Sequence, residues 1–105
     1  MKIFILTFGI WLSIQTVNAT EEFVVSQKDK AFSVETISIN VGDTIYFLNA
    51  DPFFHNIFSL SDTQFFDLGS YPKDESRPVV FTTPGLVQIE CAIHSQMMLT
   101  VEVKE

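Results

Sequence analysis

Two stretches near the C-terminus constrain this chain more than any other feature. Gly85–Cys91 and Leu99–Lys104 both alternate apolar and polar residues, and only Ala92–Met98 separates them. In the first, Val87, Ile89 and Cys91 share one face, and Gln88 and Glu90 share the other. In the second, Leu99, Val101 and Val103 oppose Thr100, Glu102 and Lys104. A period of two is the signature of a half-buried strand. Strands joined by so short a connection must be neighbours in one sheet. The parity then predicts where side chains point. Cys91 ends its strand on the buried face. Counting back from Leu99 turns Met97 inward and Met98 outward. The loop between them sits at the end of a rigid scaffold, a favoured place for a functional site.

The rest of the chain, after a leader, reads as more short strands punctuated by turn residues, the pattern of a sandwich or barrel. Strands are expected at Glu22–Ser26, Ala31–Val34, Thr36–Ile39 and Thr44–Asn49, with Lys28-Asp29-Lys30 as a charged turn. Asn40-Val41-Gly42-Asp43 is a turn whose glycine suits positive φ. Ile45 and Phe47 point inward. Asp51-Pro52 breaks the strand, so His55 follows a bend at the start of the next strand, Asn56–Leu60. Residues 61–76 are ambiguous. Phe65, Phe66 and Leu68 fit a short strand or a cover for one end of the core, and a short helix fits Ser61–Gln64. Val79 and Phe81 lie on one face of a strand that ends at Thr83-Pro84-Gly85, where Pro-Gly suits the middle of a type II turn.

The first residues resemble a targeting segment. Lys2 precedes an apolar run from Ile3 to Ile14, and Val17-Asn18-Ala19 offers the small-residue pattern read by a signal peptidase. Cleavage after Ala19 is expected, giving a signal peptide over 1–19 and a single domain over 20–105, periplasmic or secreted. The apolar run is shorter than the ~20 residues of a spanning helix, which argues against an uncleaved anchor. No cysteine near the cut points to a lipid anchor. The formal charge is −7, and loss of Lys2 leaves the mature chain one unit more negative. That argues against nucleic acid and anionic membranes as partners, and it permits steering towards a basic protein. Acidity also serves solubility alone.

Export gives the lone cysteine meaning. Exported domains use cysteines in disulfide pairs, and Cys91 has no partner in the chain. An unpaired thiol in an oxidising compartment is a liability unless buried or ligated. Cys91-Ala92-Ile93-His94-Ser95-Gln96-Met97 also contains one of the two histidines and a methionine, and His55 is the other histidine. Two imidazoles, a thiolate and a weak axial thioether form the trigonal set that copper selects. We therefore take His55, Cys91, His94 and Met97 as candidate ligands of one copper ion cycling between Cu(I) and Cu(II). Each residue has a plainer reading. Cys91 suits a buried small hydrophobe, and Met97 a core gap-filler with Met98 as its rival ligand. His94 suits a surface loop, and His55 a hydrogen-bonded arch. Zinc also accepts Cys and His, but its structural sites rarely include a thioether. Asn56, beside His55, is placed to donate hydrogen bonds towards Cys91 or across the two loops. No catalytic triad or phosphate loop is present, so the chain is read as a non-enzyme.

With these residues in hand, the chain resembles a small cupredoxin of the plastocyanin and amicyanin type. The likeness runs through Val41-Gly42-Asp43-Thr44, His55-Asn56, Phe81 to Gly85 and the Cys91–Met97 segment. The two-residue gap between His94 and Met97 is the short form found in amicyanin. The resemblance implies an all-β Greek-key sandwich of about seven or eight strands and a mononuclear type 1 copper. His55, Cys91 and His94 would be equatorial and Met97 axial. It also implies one-electron transfer by a monomer between a transient redox donor and acceptor, such as a cytochrome c, a dehydrogenase or an oxidase. Where family loops often carry proline beside the histidine, this chain has Ile93 and Ser95. Two alternatives stand beside this reading: a copper carrier or store with the same ligands, and a metal-free accessory β-domain.

Overall fold

The computed structural model describes Gly9 and residues 19–105; the expected leader falls largely outside these. Among the described residues there is no helix, so none is long and apolar enough to cross a membrane. Nine strands follow in order: β1 (Glu22–Lys28), β2 (Ala31–Phe32), β3 (Thr36–Asn40), β4 (Thr44–Asn49), β5 (His55–Ser61), β6 (Gln64–Tyr71), β7 (Ser76–Val80), β8 (Gly85–Cys91) and β9 (Met98–Lys104). They form one sheet of order β2-β1-β4-β7 and a second of order β3-β9-β8-β5-β6. The chain changes sheet after β2, β3, β4, β6 and β7. This leaves two parallel neighbours, β1 with β4 and β3 with β9, among antiparallel pairs. That is a Greek-key sandwich, with one or two strands more than expected.

The core follows from the alternation. Ile45 and Phe47 from β4, Val87, Ile89 and Cys91 from β8, and Leu99, Val101 and Val103 from β9 are all buried between the sheets. Apolar area removed from water stabilises by about 25 cal/mol per Å², so these inward rows hold the two layers together. Their outward neighbours Gln88, Glu102 and Lys104 are exposed. Gly42 closes its turn at φ 95°, as its place in Asn40–Asp43 requires.

Residues 61–76 resolve into the hairpin of β5 and β6, and no helix forms there. Asn56 pairs with Ser70 and Phe58 with Asp67, so Ile57 faces two residues, Leu68 and Gly69. This is a β-bulge with Gly69 at φ 69°. The extra residue reverses the parity of β6. Phe66 and Leu68 pack on the core before it, and Tyr71 turns fully inward after it, opposite His55. Smaller departures occur at two turns. β2 covers only Ala31–Phe32. Gly85 has φ 132°, wider than the ~80° of a type II turn, and it opens β8 directly.

Candidate metal centre

Three strand features bring the site together. On the inward face of β5, His55 and Ile57 are successive residues, and Ile57 pairs with Cys91 across the β5–β8 ladder. His55 and Cys91 are thus diagonal neighbours on one face, within reach of long side chains. Past Cys91 the chain leaves the sheet. The Ala92 N–H donates to the Asn56 carbonyl at 3.0 Å and ties the loop to β5. A tight turn, with the Met97 N–H donating to the His94 carbonyl at 3.0 Å, then brings the chain back into β9. That turn places His94 over Cys91 and buries Met97.

The geometry is compact. Cys91 Sγ lies 3.6 Å from His55 Nδ1 and 3.9 Å from His94 Nδ1. The ligand atoms of His55, Cys91 and His94 all lie within 4.8 Å of one another. A sulfur and a nitrogen bound at ~2.3 and ~2.0 Å and set trigonally would stand roughly 3.7 Å apart, taking typical thiolate and imidazole bond lengths. The three donors therefore fit a single transition-metal ion with little movement. His55 is 0%, Cys91 2% and Met97 1% exposed, whereas Met98 is 53% exposed. The inward and outward parity expected for the two methionines is observed. His94 is partly exposed.

Phe53 closes the site from one side. Its ring centroid is 5.3 Å from each imidazole, and the two imidazoles are 5.2 Å apart. Phe54 and Ile93 stand exposed nearby in sequence, with Met98 at the far end of the loop. Together they give the His94 end of the molecule an apolar character.

Asn56 behaves differently from expectation. It acts through its backbone carbonyl, as an acceptor from Ala92, and its side-chain Oδ1 is buried without a hydrogen-bond partner. The residue that touches a candidate ligand is one read only as a strand breaker. Asp51 Oδ2 lies 2.7 Å from His55 Nε2, with both side chains buried. Burial pushes the Asp51 carboxyl up, but hydrogen bonds from His55 and from the Asp29 and Lys30 N–H groups outweigh it. They hold Asp51 below the ordinary carboxylate range. A carboxylate four residues before a candidate histidine is the sequence signal that could have found it. Asn49 organises the same loop. Its Nδ2 donates to the Phe53 carbonyl at 2.8 Å and to the Tyr71 carbonyl at 2.9 Å, and its Oδ1 accepts from the Asp51 N–H at 2.8 Å.

Beyond the site, Tyr71 is fully buried and its one hydroxyl proton is shared between Gln27 Oε1 at 3.2 Å and the Phe47 carbonyl at 3.1 Å. Burial pushes its phenol up to about 12, despite the opposing hydrogen bond to Gln27.

No protein-family model and no curated protein matches this sequence. Solved structures do. A variant of amicyanin in its Cu(I) form is 20% identical, with a TM-score of 0.74 over 78% of this chain and 81% of that one. A purple cupredoxin from Nitrosopumilus maritimus is 22% identical, with a TM-score of 0.69 over 77% of this chain and 98% of that one. A copper-containing nitrite reductase from Thermus scotoductus SA-01 is 24% identical, with a TM-score of 0.73 over 79% of this chain. This chain spans only 22% of that enzyme. The chain has the cupredoxin fold.

Proposed function

We propose that this chain is an exported, non-enzymatic electron carrier that holds one type 1 copper ion through His55, Cys91, His94 and Met97. One observation carries the reading: His55 Nδ1 and His94 Nδ1 both face the Cys91 thiol, at 3.6 and 3.9 Å, inside a cupredoxin fold. Copper in such a set supplies a one-electron couple. Copper carried by the named structural neighbours supports the same choice of metal. Met97, rather than Met98, is the axial candidate because it is the buried one.

The chain's own residues divide the work. Cys91 offers a soft thiolate from the end of β8, where it pairs with Ile57 of β5. His55 offers Nδ1 from the start of β5. His94 sits on the loop with its ring partly exposed, which makes it the natural contact for a partner. Phe53 packs against both imidazoles and keeps water from that side. Ligands fixed by two paired strands and a short turn need little rearrangement when an electron arrives. The apolar residues Phe54, Ile93 and Met98 suit a small, transient docking contact. The net negative charge suits a basic partner.

The test is a titration of the purified mature chain with Cu(II), followed by visible absorption and electron-spin resonance. One equivalent bound, with intense visible colour and reversible reduction without metal loss, supports a carrier of electrons. Copper that leaves on each cycle would instead favour a carrier of copper. A mass for the exported chain corresponding to a start at Thr20 supports the processing site.

A further inference from the structure

The buried carboxylate behind His55 has more partners than a simple ion pair needs. Asp51 is 3% exposed. Its Oδ1 accepts the Asp29 N–H at 2.7 Å, and its Oδ2 accepts the Lys30 N–H at 3.2 Å as well as facing His55 Nε2 at 2.7 Å. Asp29 and Lys30 form the turn between β1 and β2, and both have positive φ, at 55° and 58°. Positive φ at both central residues is what a two-residue hairpin turn between Lys28 and Ala31 adopts, and here it aims two consecutive N–H groups at one carboxylate. The Asp51 backbone is fixed in turn by Asn49, and Ala50 N–H donates to the Gln27 carbonyl at 2.8 Å. The carboxylate is held by two turn N–H groups and one imidazole.

An ionised carboxylate only accepts hydrogen bonds. A proton must therefore sit on Nε2 of His55. In the neutral ring, Nδ1 is then a bare lone pair, and Nδ1 is the atom that faces Cys91 Sγ. The tautomer needed for ligation is set by the protein itself. A carboxylate on the far nitrogen also makes an imidazole a stronger donor, and stronger anionic donation favours the more highly charged metal state. The turn N–H groups act in the opposite sense, because they share the carboxylate's charge.

Resting on the copper reading above, we propose that Asp51 is a positioning residue that fixes the His55 tautomer and biases the bound couple towards Cu(II). The β1–β2 turn tempers that bias. A remote hairpin is in this way linked through one carboxylate to the reduction potential.

The experiment compares the wild type with Asp51→Asn, using Asp62→Asn on the exposed β5–β6 turn to account for the loss of one negative charge. Asp51→Asn should weaken Cu(II) binding about ten- to a hundredfold, with a smaller effect on Cu(I). Each tenfold difference raises a one-electron potential by about 59 mV. A potential for Asp51→Asn equal to that of Asp62→Asn overturns the proposal. Nitrogen-15 NMR of metal-free wild-type chain gives a second arm that needs no variant to fold. It should show His55 protonated at Nε2 and bare at Nδ1, and a proton at Nδ1 overturns the proposal. A wild type that takes up no copper overturns the copper reading and this one together. Copper uptake with no shift in Asp51→Asn overturns this one alone.

Discussion

Cys91 Sγ and His55 Nδ1 stand 3.6 Å apart although 36 residues separate them in the chain. The contact exists because Ile57 pairs with Cys91 across β5 and β8, and because Asp51 and Asn49 bend the chain so that His55 begins β5 facing inward. Removing the imidazole leaves the buried Asp51 carboxylate without its side-chain partner. His55→Ala should therefore cost about 1.5–3 kcal/mol, the range for losing a hydrogen bond to a charged group. Denaturant unfolding of metal-free chain measures it. A loss well under 1 kcal/mol would mean the pair is not formed.

His94 presents the opposite case. It sits on a loop, is partly exposed, and has Cys91 rather than a buried charge beside it. His94→Gly should leave metal-free stability within about 1 kcal/mol of wild type, as for most surface changes. It should also open the site, so that added imidazole alters the visible spectrum of the copper-loaded variant and not that of the wild type. Equal response in both would place His94 outside the site.

Tyr71 gives a pH signature. Its folded phenol titrates at about 12, above the ordinary 10.0, because burial opposes the charged form. A raised acid holds its proton more tightly when folded. Its contribution is therefore complete below pH 10 and is lost as pH rises from 10 through about 12. Tyr71→Phe removes hydrogen bonds to Gln27 and the Phe47 carbonyl and should cost about 1–2 kcal/mol at neutral pH. The gap to wild type should close above pH 10, measured by denaturant midpoints at each pH. A constant gap would contradict this.

Gly85 is constrained twice. It has φ 132°, and a Cβ there would meet Thr63 Cγ2 at 2.9 Å. Gly85→Ala should destabilise by about 1–3 kcal/mol through backbone strain and steric conflict. Thr63→Ser in the same chain removes Cγ2 and keeps the hydroxyl that donates to the Leu86 carbonyl. It should recover only the steric part. Full recovery would mean that the backbone conformation carries no strain.

The alternating strands were legible because a period of two maps directly onto burial. This held for Ile45 and Phe47, for Val87 to Cys91, and for Met97 against Met98. The same rule failed at residues 61–76, where the Leu68-Gly69 bulge shifts the parity so that Phe66 and Tyr71 can both face inward. Local pattern cannot show a bulge that only strand pairing creates. Residue chemistry alone points to His55 converging with Cys91 and His94, and the fold brings the ligand atoms of those three within 4.8 Å of one another. Asp51 was missed because beside Pro52 it looks like an ordinary strand breaker. Its role depends on a turn 21 and 22 residues earlier, formed by Lys30 and Asp29. The orphaned Oδ1 of Asn56 had no sequence signal, and nothing in the site explains it.

The Cys91 sulfur, the two imidazoles and the Met97 thioether are proposed to share one copper ion. The most direct measurement is the visible absorption of wild type and Cys91→Ser after each receives one equivalent of Cu(II). An intense band is expected in the wild type and none in Cys91→Ser. A band of equal strength in both, or none in either, would contradict it.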